Sequence, residues 1–476
     1  MEFETVIGLE VHAQLRTATK IFCGCATTFG APPNTNTCPV CLGLPGSLPV
    51  LNKMAVEYGI KVALAANATV NPLSQFARKN YFYPDLPKGY QTSQYDRPLV
   101  EHGRIDITVD NEVKTIGITR MHLEEDAGKL IHDEREPRSF VDLNRAGTPL
   151  LEIVSEPDLR SPAEAVDYLR KLHTMLRYLD VCDGNMQEGS FRCDANISLR
   201  PFGAAEFGVR TELKNMNSFR HVQAALEYEQ RRQRDILLEG GTVIQQTMLW
   251  NPDKGITEPM RGKEDAHDYR YFPCPDLLEV QVDDSWVNTV RHTLPELPEA
   301  RRNRFVDSYG LPPYDAALLT EARELADYFE QATATGAPAK KVANWVMTEL
   351  LREVTAPALI ADGAVSPEHL GTLVLLIEDG TISGKIGKSV FTEMISSGKD
   401  PRTIITEKGF SQISDEDELL KLVREIITAS PDQVAQFKAG KSKVMGYFIG
   451  RLMQKTKGSA NPKLANQLFT RELSAR

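Results

Sequence analysis

From Val6 to Leu15 apolar and polar side chains alternate: Ile7, Leu9, Val11 and Leu15 fall on one parity, Glu10, His12 and Gln14 on the other. A β-strand turns successive side chains to opposite faces, so this period of two predicts a strand with one apolar face and one carrying chemistry. The pattern recurs. Ile118 to Asp126 sets Arg120, His122, Glu124 and Asp126 against Met121, Leu123 and Glu125, and Phe191 to Leu199 sets Arg192, Asp194, Asn196 and Ser198 against Phe191, Cys193, Ala195, Ile197 and Leu199. A further run, Val209 to Lys214, aligns Arg210, Glu212 and Lys214. A sheet with one solvated side alternates in the same way, but solvated strand faces favour Thr, Lys and Tyr and avoid Asp and Asn. Faces carrying Glu, His, Asp and Asn offer the ligands that hold Mg²⁺ or Mn²⁺ around phosphates, so a metal site is the expectation.

The period changes along the chain. The first 290 or so residues are strand-rich, with loops full of Pro, Gly, Asn and Asp, and contain two helices. One is capped by Ser161, has Pro162 at its first position and spaces Ala165, Leu169, Leu172 and Leu176 for one face; the other runs from Ser218 to Leu238 and ends at Gly240-Gly241. After the linker-like Thr293-Leu-Pro-Glu-Leu-Pro298 the pattern is helical, with amphipathic helices predicted over Ala316 to Tyr328, Lys340 to Leu351, Glu368 to Glu378 and Lys385 to Ser397. A second break falls near Gly398-Lys-Asp-Pro401. The expected plan is α+β: a large, mainly antiparallel-sheet cradle over 1–293, a helical domain over 294–407 and a small helical tail over 408–476.

Charge adds an asymmetry. The chain carries a net −10, yet residues 431–476 hold nine basic and two acidic side chains, a net +7 on a body at −17. A basic tail on an acidic body fits contact with a polyanion such as nucleic acid, or a solvated helical bundle. No apolar run approaches the roughly 18 residues needed to cross a bilayer, and the N-terminus enters strand pattern at once, so no membrane span, signal or transit peptide is expected. Seven cysteines, four of them clustered, do not form a secreted disulfide framework and place the protein in a reducing cytoplasm.

The cluster is Cys23-Gly-Cys25, then twelve residues, then Cys38-Pro-Val-Cys41. Two close thiol pairs joined by a bendable loop suit a closed, structural Zn²⁺ site, with reduced thiols or an iron–sulfur cluster as alternatives. Cys182, Cys193 and Cys274 read as core thiols. No G-x-x-x-x-G-K-[ST] segment is present; any nucleotide must be held otherwise, with Lys79, Ser190 and Arg192 as candidates and surface ion pairs as the plainer account.

Val6-Ile-Gly-Leu-Glu-Val-His12, Arg78-Lys-Asn-Tyr-Phe-Tyr-Pro-Asp85, Arg120-Met-His-Leu-Glu-Glu-Asp-Ala-Gly-Lys129, Val141-Asp-Leu-Asn-Arg145, Leu151-Glu-Ile-Val-Ser-Glu-Pro-Asp158, Glu188-Gly-Ser-Phe-Arg-Cys-Asp-Ala-Asn-Ile-Ser198, Glu212-Leu-Lys-Asn215 and Asp268-Tyr-Arg-Tyr-Phe-Pro-Cys-Pro-Asp276 closely resemble the B-subunit family of the tRNA-dependent amidotransferase GatCAB. Lys443-Val-Met-Gly-Tyr447 and Ala460-Asn-Pro462 look like its YqeY-type tail, so the resemblance spans the chain. It implies a kinase and transamidase. ATP would phosphorylate the side-chain carboxyl of glutamate mischarged on tRNA(Gln), or aspartate on tRNA(Asn). Ammonia from the amidase of the same complex, GatA, which is assembled with the small protein GatC, would then displace phosphate. An archaeal relative, GatE, carries an inserted domain for which 476 residues leave no room.

Carried over residue by residue, the resemblance implies a metal and phosphate cradle at Glu10, His12, Glu124, Glu125, Glu152 and Glu212, with Asp194 beside them. It implies nucleotide contacts at Lys79, Ser190 and Arg192, and Lys88 at the ammonia exit. Catalytic work falls to Glu10, His12, Glu125 and Lys88, Mg²⁺ acts at the phosphates, and Zn²⁺ at the cysteines is structural. Alternation puts Glu125 opposite Glu124, so both reach one site only through a bulge or turn at Asp126-Ala-Gly128. Glu152 has a structural alternative, an ion pair with Arg145. A metal-dependent phosphohydrolase and a non-catalytic tRNA-binding scaffold are the competing readings.

Overall fold

The alternation is realised as a long strand in which, from Ile7 onward, odd residues are buried and even residues half-exposed. The computed structural model describes residues 2–110, 112–133, 136–260, 268–354, 360, 363, 365–410, 416–438, 444–456, 460 and 462–474. The chain divides into two compact units, Met1–Leu297 and Pro298–Arg476. In chain order the first contains β1 (Phe3–Gln14), α1 (Lys53–Ala65), β2 (Thr69–Val70), β3 (Leu73–Ser74), β4 (Phe76–Asn80), β5 (Tyr90–Gln94), β6 (Val100–Val109), β7 (Glu112–Glu125), β8 (Lys129–His132), β9 (Ser139–Asp142), β10 (Pro149–Ser155), α2 (Pro162–Tyr178), β11 (Phe191–Pro201), β12 (Thr211–Met216), α3 (Phe219–Leu238), β13 (Gln246–Asn251), β14 (Ile256–Pro259), β15 (Phe272–Pro273), β16 (Val280–Gln281) and α4 (Asp284–Arg291).

Nine strands form one sheet in the order β14-β13-β12-β11-β1-β10-β7-β6-β2. Every pairing in it is antiparallel except β12 with β13. The fold is α+β. β1 lies centrally, opposing Glu10 to Val154 on one side and to Asp194 on the other. Its odd face, Ile7, Leu9, Val11 and Ala13, joins one core with Leu169, Leu172 and Leu176 of α2 and Val222, Ala225 and Leu226 of α3. Burying a Leu or Ile in such a core contributes about 1.5–3 kcal/mol, which fixes which face is inward.

The two helices begin as their caps predict. Ser161 Oγ accepts from Glu164 N with Pro162 at the first position, and Ser218 Oγ accepts from His221 N. A smaller sheet, β15-β4-β5, packs over the far end of β7. The last five residues of β7 are therefore buried on both faces.

The second unit is helical and holds two separate apolar clusters, one from Phe305 to Ile404 and one from Leu419 to Leu473. Two expected helices differ. Ala316 to Tyr328 is not continuous: Thr320 turns its hydroxyl back to Ala316 O at 2.7 Å, closing the helix Pro313–Leu319, and a second helix runs Arg323–Ala334. Lys340 to Leu351 contains a widened π turn at Val346–Leu350, which brings buried Glu349 to Lys388 Nζ at 2.6 Å. Pro367–Glu378 and Gly384–Ser397 match expectation, and the next helix starts at Pro401 with Asp400 as its cap. Among the described residues no helix is long and apolar enough to cross a membrane.

Glu330 ties its helix to Pro298–Tyr309, accepting from Arg301 Nη2 at 2.6 Å, Arg304 Nη1 at 2.6 Å and Tyr309 OH at 3.0 Å. Burial alone would raise its carboxyl, but the hydrogen bonds from Arg304, Arg301 and Tyr309 hold it down to about 2. An unfolded glutamate titrates near ~4.3, so the stabilisation is complete above that pH and is lost as pH falls toward 2. Glu330→Gln should therefore lower the melting temperature at pH 6 by more than at pH 3; an equal gap at both would contradict the assignment.

Candidate active site

The even face of β1 and its neighbours collects the acids. Because Glu10 opposes Asp194 and His12 opposes Glu152, residues far apart in sequence stand side by side on one face. His12, Glu124 and Glu152 each offer a ligand atom within 4.8 Å of the others, and Glu10, His12 and Asp194 form a second such group sharing His12. His12 Nε2 is 3.5 Å from both Glu10 Oε1 and Glu152 Oε2. Glu124 accepts from Ser93 Oγ of β5 at 3.2 Å, which roofs that end of the site.

Crowding is written into the titration of these groups. Burial and the neighbouring Glu152 carboxylate push the Glu10 carboxyl up. Glu152 runs the other way: burial would raise it, but His122 and His12 bring it well below the usual range. His122, which sequence reasoning placed on this face without a role, is 2% exposed and lies 3.4 Å from Glu152 Oε2. Burial works against its charge, yet Glu152 and Glu124 lift it to about 9. Lys79 stands over the Tyr269 ring at 4.9 Å, and Glu124 and Glu152 raise it against burial. A cluster in which one acid is driven toward its neutral form by another fits a divalent cation, and His12, Glu124, Glu152, Glu10 and Asp194 have the donor atoms for one.

Not every expected residue joins them. Glu125 takes the opposite parity to Glu124: the β7–β10 register runs unshifted through both, with no bulge between them. Glu125 instead meets Lys88 Nζ and accepts from Thr92 N at 2.7 Å. Glu212 accepts from Thr247 Oγ1 at 2.8 Å and pairs with Lys214 at 3.0 Å, while Lys214 also holds Asp194 at 2.6 Å. Ser190 donates its hydroxyl to Asp183 Oδ2 at 3.3 Å. Arg145 does not pair with Glu152; it donates to Ala127 O at 2.9 Å and lies 3.7 Å from Asp126.

Asp126 is a hub that alternation detected but did not interpret. Arg192 Nη2 reaches both its oxygens at 3.0 Å and Gln14 Nε2 donates at 2.7 Å. Burial would raise the Asp126 carboxyl, but Arg192 and Arg145 bring it down.

The four clustered cysteines converge, with all Sγ atoms within 4.8 Å of one another. Cys38 N donates to Cys41 Sγ at 3.2 Å, and the Cys38 and Cys41 sulfurs are 3.9 Å apart, close to the about 3.8 Å that tetrahedral Zn–S bonds of ~2.3 Å require. A hydrogen bond from Cys23 draws the Cys41 thiol down to about 4, against burial and with help from Cys38 N–H and Lys20. Lys20 is fully buried, with Nζ 3.5 Å from Cys41 Sγ and 2.7 Å from Asn36 O. No periodicity marked it, since its place comes from the folded loop alone. The group can bind a metal. Cys182, Cys193 and Cys274 are buried, as read.

A family model described as the GatB/GatE catalytic domain matches residues 5–288, and one described as the GatB domain matches residues 327–473. The chain belongs to the GatB/GatE family. A protein from Desulfotalea psychrophila, named as the B subunit of an aspartyl/glutamyl-tRNA(Asn/Gln) amidotransferase, is 64% identical over 474 residues, covering 100% of both chains. Proteins of the same name from Solidesulfovibrio magneticus and Geobacter sulfurreducens are 58% and 57% identical, over 99% of this chain and 99% and 100% of theirs.

Removing the Arg192 charge leaves a buried carboxylate short of its main partner. Arg192→Met should lower unfolding free energy by roughly 1–3 kcal/mol in urea titrations, and Asp126→Asn made together with it should recover part of that loss. A double variant as unstable as the sum of the singles would contradict the pairing.

Proposed function

We propose that this chain is the component of an aminoacyl-tRNA amidotransferase that activates the side-chain carboxyl of glutamate misacylated on tRNA(Gln), or aspartate on tRNA(Asn), with ATP and converts it to the amide. The observation carrying this is the His12–Glu124–Glu152 constellation with Glu10 and Asp194 beside it, on a chain 64% identical to a protein named as the B subunit of such an enzyme. Its partners are the amidase GatA, which supplies ammonia, the small protein GatC, and the misacylated tRNA. The enzyme is a C–N bond-forming ligase working in the cytoplasm.

A carboxylate resists amination because an oxide must leave. Attack of its oxygen on the γ-phosphorus of ATP releases ADP and gives an acyl phosphate; ammonia then adds to the carbonyl, and phosphate departs with the bonding pair. His12, Glu124, Glu152, Glu10 and Asp194 would hold Mg²⁺, which when bound neutralises charge on the transferring phosphoryl group. Lys79, kept charged by Glu124 and Glu152, neutralises phosphate oxygens. Arg192, pinned by Asp126, presents a fixed positive edge. On the opposite side of β7, Lys88 and Glu125 line the route by which ammonia arrives, and the departing phosphate carries off the proton that the attacking nitrogen must lose. Cys23, Cys25, Cys38 and Cys41 would hold a structural Zn²⁺ that fixes their loop. Glu212 acts through Lys214 to orient Asp194.

In the assembled complex, phosphate release from ATP should require charged tRNA, and Glu152→Gln should slow it at least about 100-fold while leaving tRNA affinity unchanged. Full ATP turnover in that variant would remove the catalytic assignment and leave a scaffold. For the basic tail, deleting residues 408–476 should weaken tRNA binding and flatten its dependence on salt in proportion to the number of tRNA phosphates the tail neutralises; an unchanged salt slope counts against a tRNA-binding role.

A further inference from the structure

Pairing across the sheet sets His122 of β7 opposite Glu152 of β10, and Glu152 opposite His12 of β1. One acid therefore stands between two imidazoles: Glu152 Oε2 lies 3.4 Å from His122 Nε2 and 3.5 Å from His12 Nε2. Glu124 follows His122 by two residues, on the same face of β7, and its Oε2 lies 3.7 Å from that same His122 Nε2. Among the described residues no other basic side chain pairs with both acids. A single buried nitrogen thus faces one oxygen of each.

That position answers an electrostatic need. Glu124 opposes Leu150 and Glu152 opposes His122, so the two acids are diagonal neighbours on adjacent strands, a spacing of roughly 7–8 Å between backbones. A donor atom from each nevertheless comes within 4.8 Å of the other and of His12. Two carboxylates drawn that close repel unless something attracts both. His122 is placed to do so, and it is itself outside both converging groups of donor atoms. The contacts of Glu124 and Glu152 with His122, His12 and Ser93 all use Oε2, leaving Oε1 of each acid out of them. The other ring nitrogen of His122, Nδ1, is buried with no hydrogen-bond partner among the described residues. A side chain present for packing alone would avoid that cost; the imidazole bears it with Nε2 kept on the acids.

We propose that His122 is a positioning residue: it holds Glu124 and Glu152 converged through their Oε2 atoms, so that a divalent cation meets a preformed pair of acids, and it does not itself bind the ion. The assignment rests on the reading above that these acids hold Mg²⁺. Removing an outer group that orients metal-binding side chains typically weakens metal affinity about 10–100-fold, since binding must then also draw the acids together. A glutamine at 122 carries an amide N–H that can take the place of Nε2 and restores part of the attraction; alanine offers none.

Mn²⁺, which takes the same oxygen and imidazole donors, reports on this directly. In the assembled heterotrimer without ATP or tRNA, His122→Ala should raise the Mn²⁺ dissociation constant, read by electron paramagnetic resonance, about 10–100-fold. His122→Gln should raise it by clearly less, with glutamyl-tRNA(Gln) retention on filters and melting temperatures near wild type in both variants. Spin-echo modulation of Mn²⁺ on the wild-type protein should show one directly bound imidazole nitrogen, that of His12, a readout that needs no variant to fold. In turnover, excess Mg²⁺ should return His122→Ala close to the wild-type rate of ATP cleavage, whereas Glu152→Gln stays slow. Unchanged Mn²⁺ affinity in the alanine variant, equal losses in both variants, or a rate that excess Mg²⁺ does not recover would overturn the proposal. So would two bound nitrogens, which would make His122 a ligand. A wild-type heterotrimer that binds no Mn²⁺ would instead remove the metal reading beneath it.

Discussion

Everything at the site depends on which face of β1 is buried. Ile7, Leu9, Val11 and Ala13 are locked into the core beneath α2 and α3, and in a strand a slip of one residue would exchange the two faces completely. The apolar packing therefore decides where Glu10 and His12 stand, although it never touches them. Neighbouring strands obey the same rule: Met121 and Leu123 of β7 and Cys193, Ala195 and Ile197 of β11 join that core, leaving Glu124 and Asp194 on the polar side.

Gathering acids on one half-covered face has an electrostatic cost, visible in opposed shifts. Glu10 is pushed toward its neutral form while Glu152 is held ionised by His122 and His12. Like charges within a few ångströms of one another are stable only with compensation. Lys79, Lys214, His12 and His122 provide part of it, and a divalent cation would provide more. The Asp126–Arg192–Arg145 network solves a simpler version of the problem, closing a buried carboxylate with two guanidinium groups.

The cysteine loop shows a third arrangement. Its thiols meet without help from any sheet, and buried Lys20 places a positive charge against Cys41, partly offsetting the negative charge that clustered thiolates carry. The cavity between this loop and the Lys88–Glu125 pair also includes Gly43, where a Cβ would lie 2.5 Å from Lys88 Cγ. Loop and pair are thus packed as one body on the side of β7 away from Glu124.

Local pattern was enough to determine β1, the end of β7, β11 and β12 and their faces, the caps at Ser161 and Ser218, and the change from strand to helix after Pro298, because period and capping are set by neighbours in the chain. It also put Glu10, His12, Glu124 and Asp194 on the polar parity of their strands. What only the tertiary structure decided was partnership: that His12 opposes Glu152, that His122 lies beneath the acids, that Glu125 turns to Lys88, that Ser190 and Arg145 serve other partners, and that Lys20 reaches Cys41. The break at Thr320 belongs here too, since a hydroxyl bonded back to its own helix leaves the apolar spacing unchanged. The order and register around β1 are long-range properties: Phe3–Gln14 pairs with Pro149–Ser155 and with Phe191–Pro201, and no local period encodes which strand lies beside which.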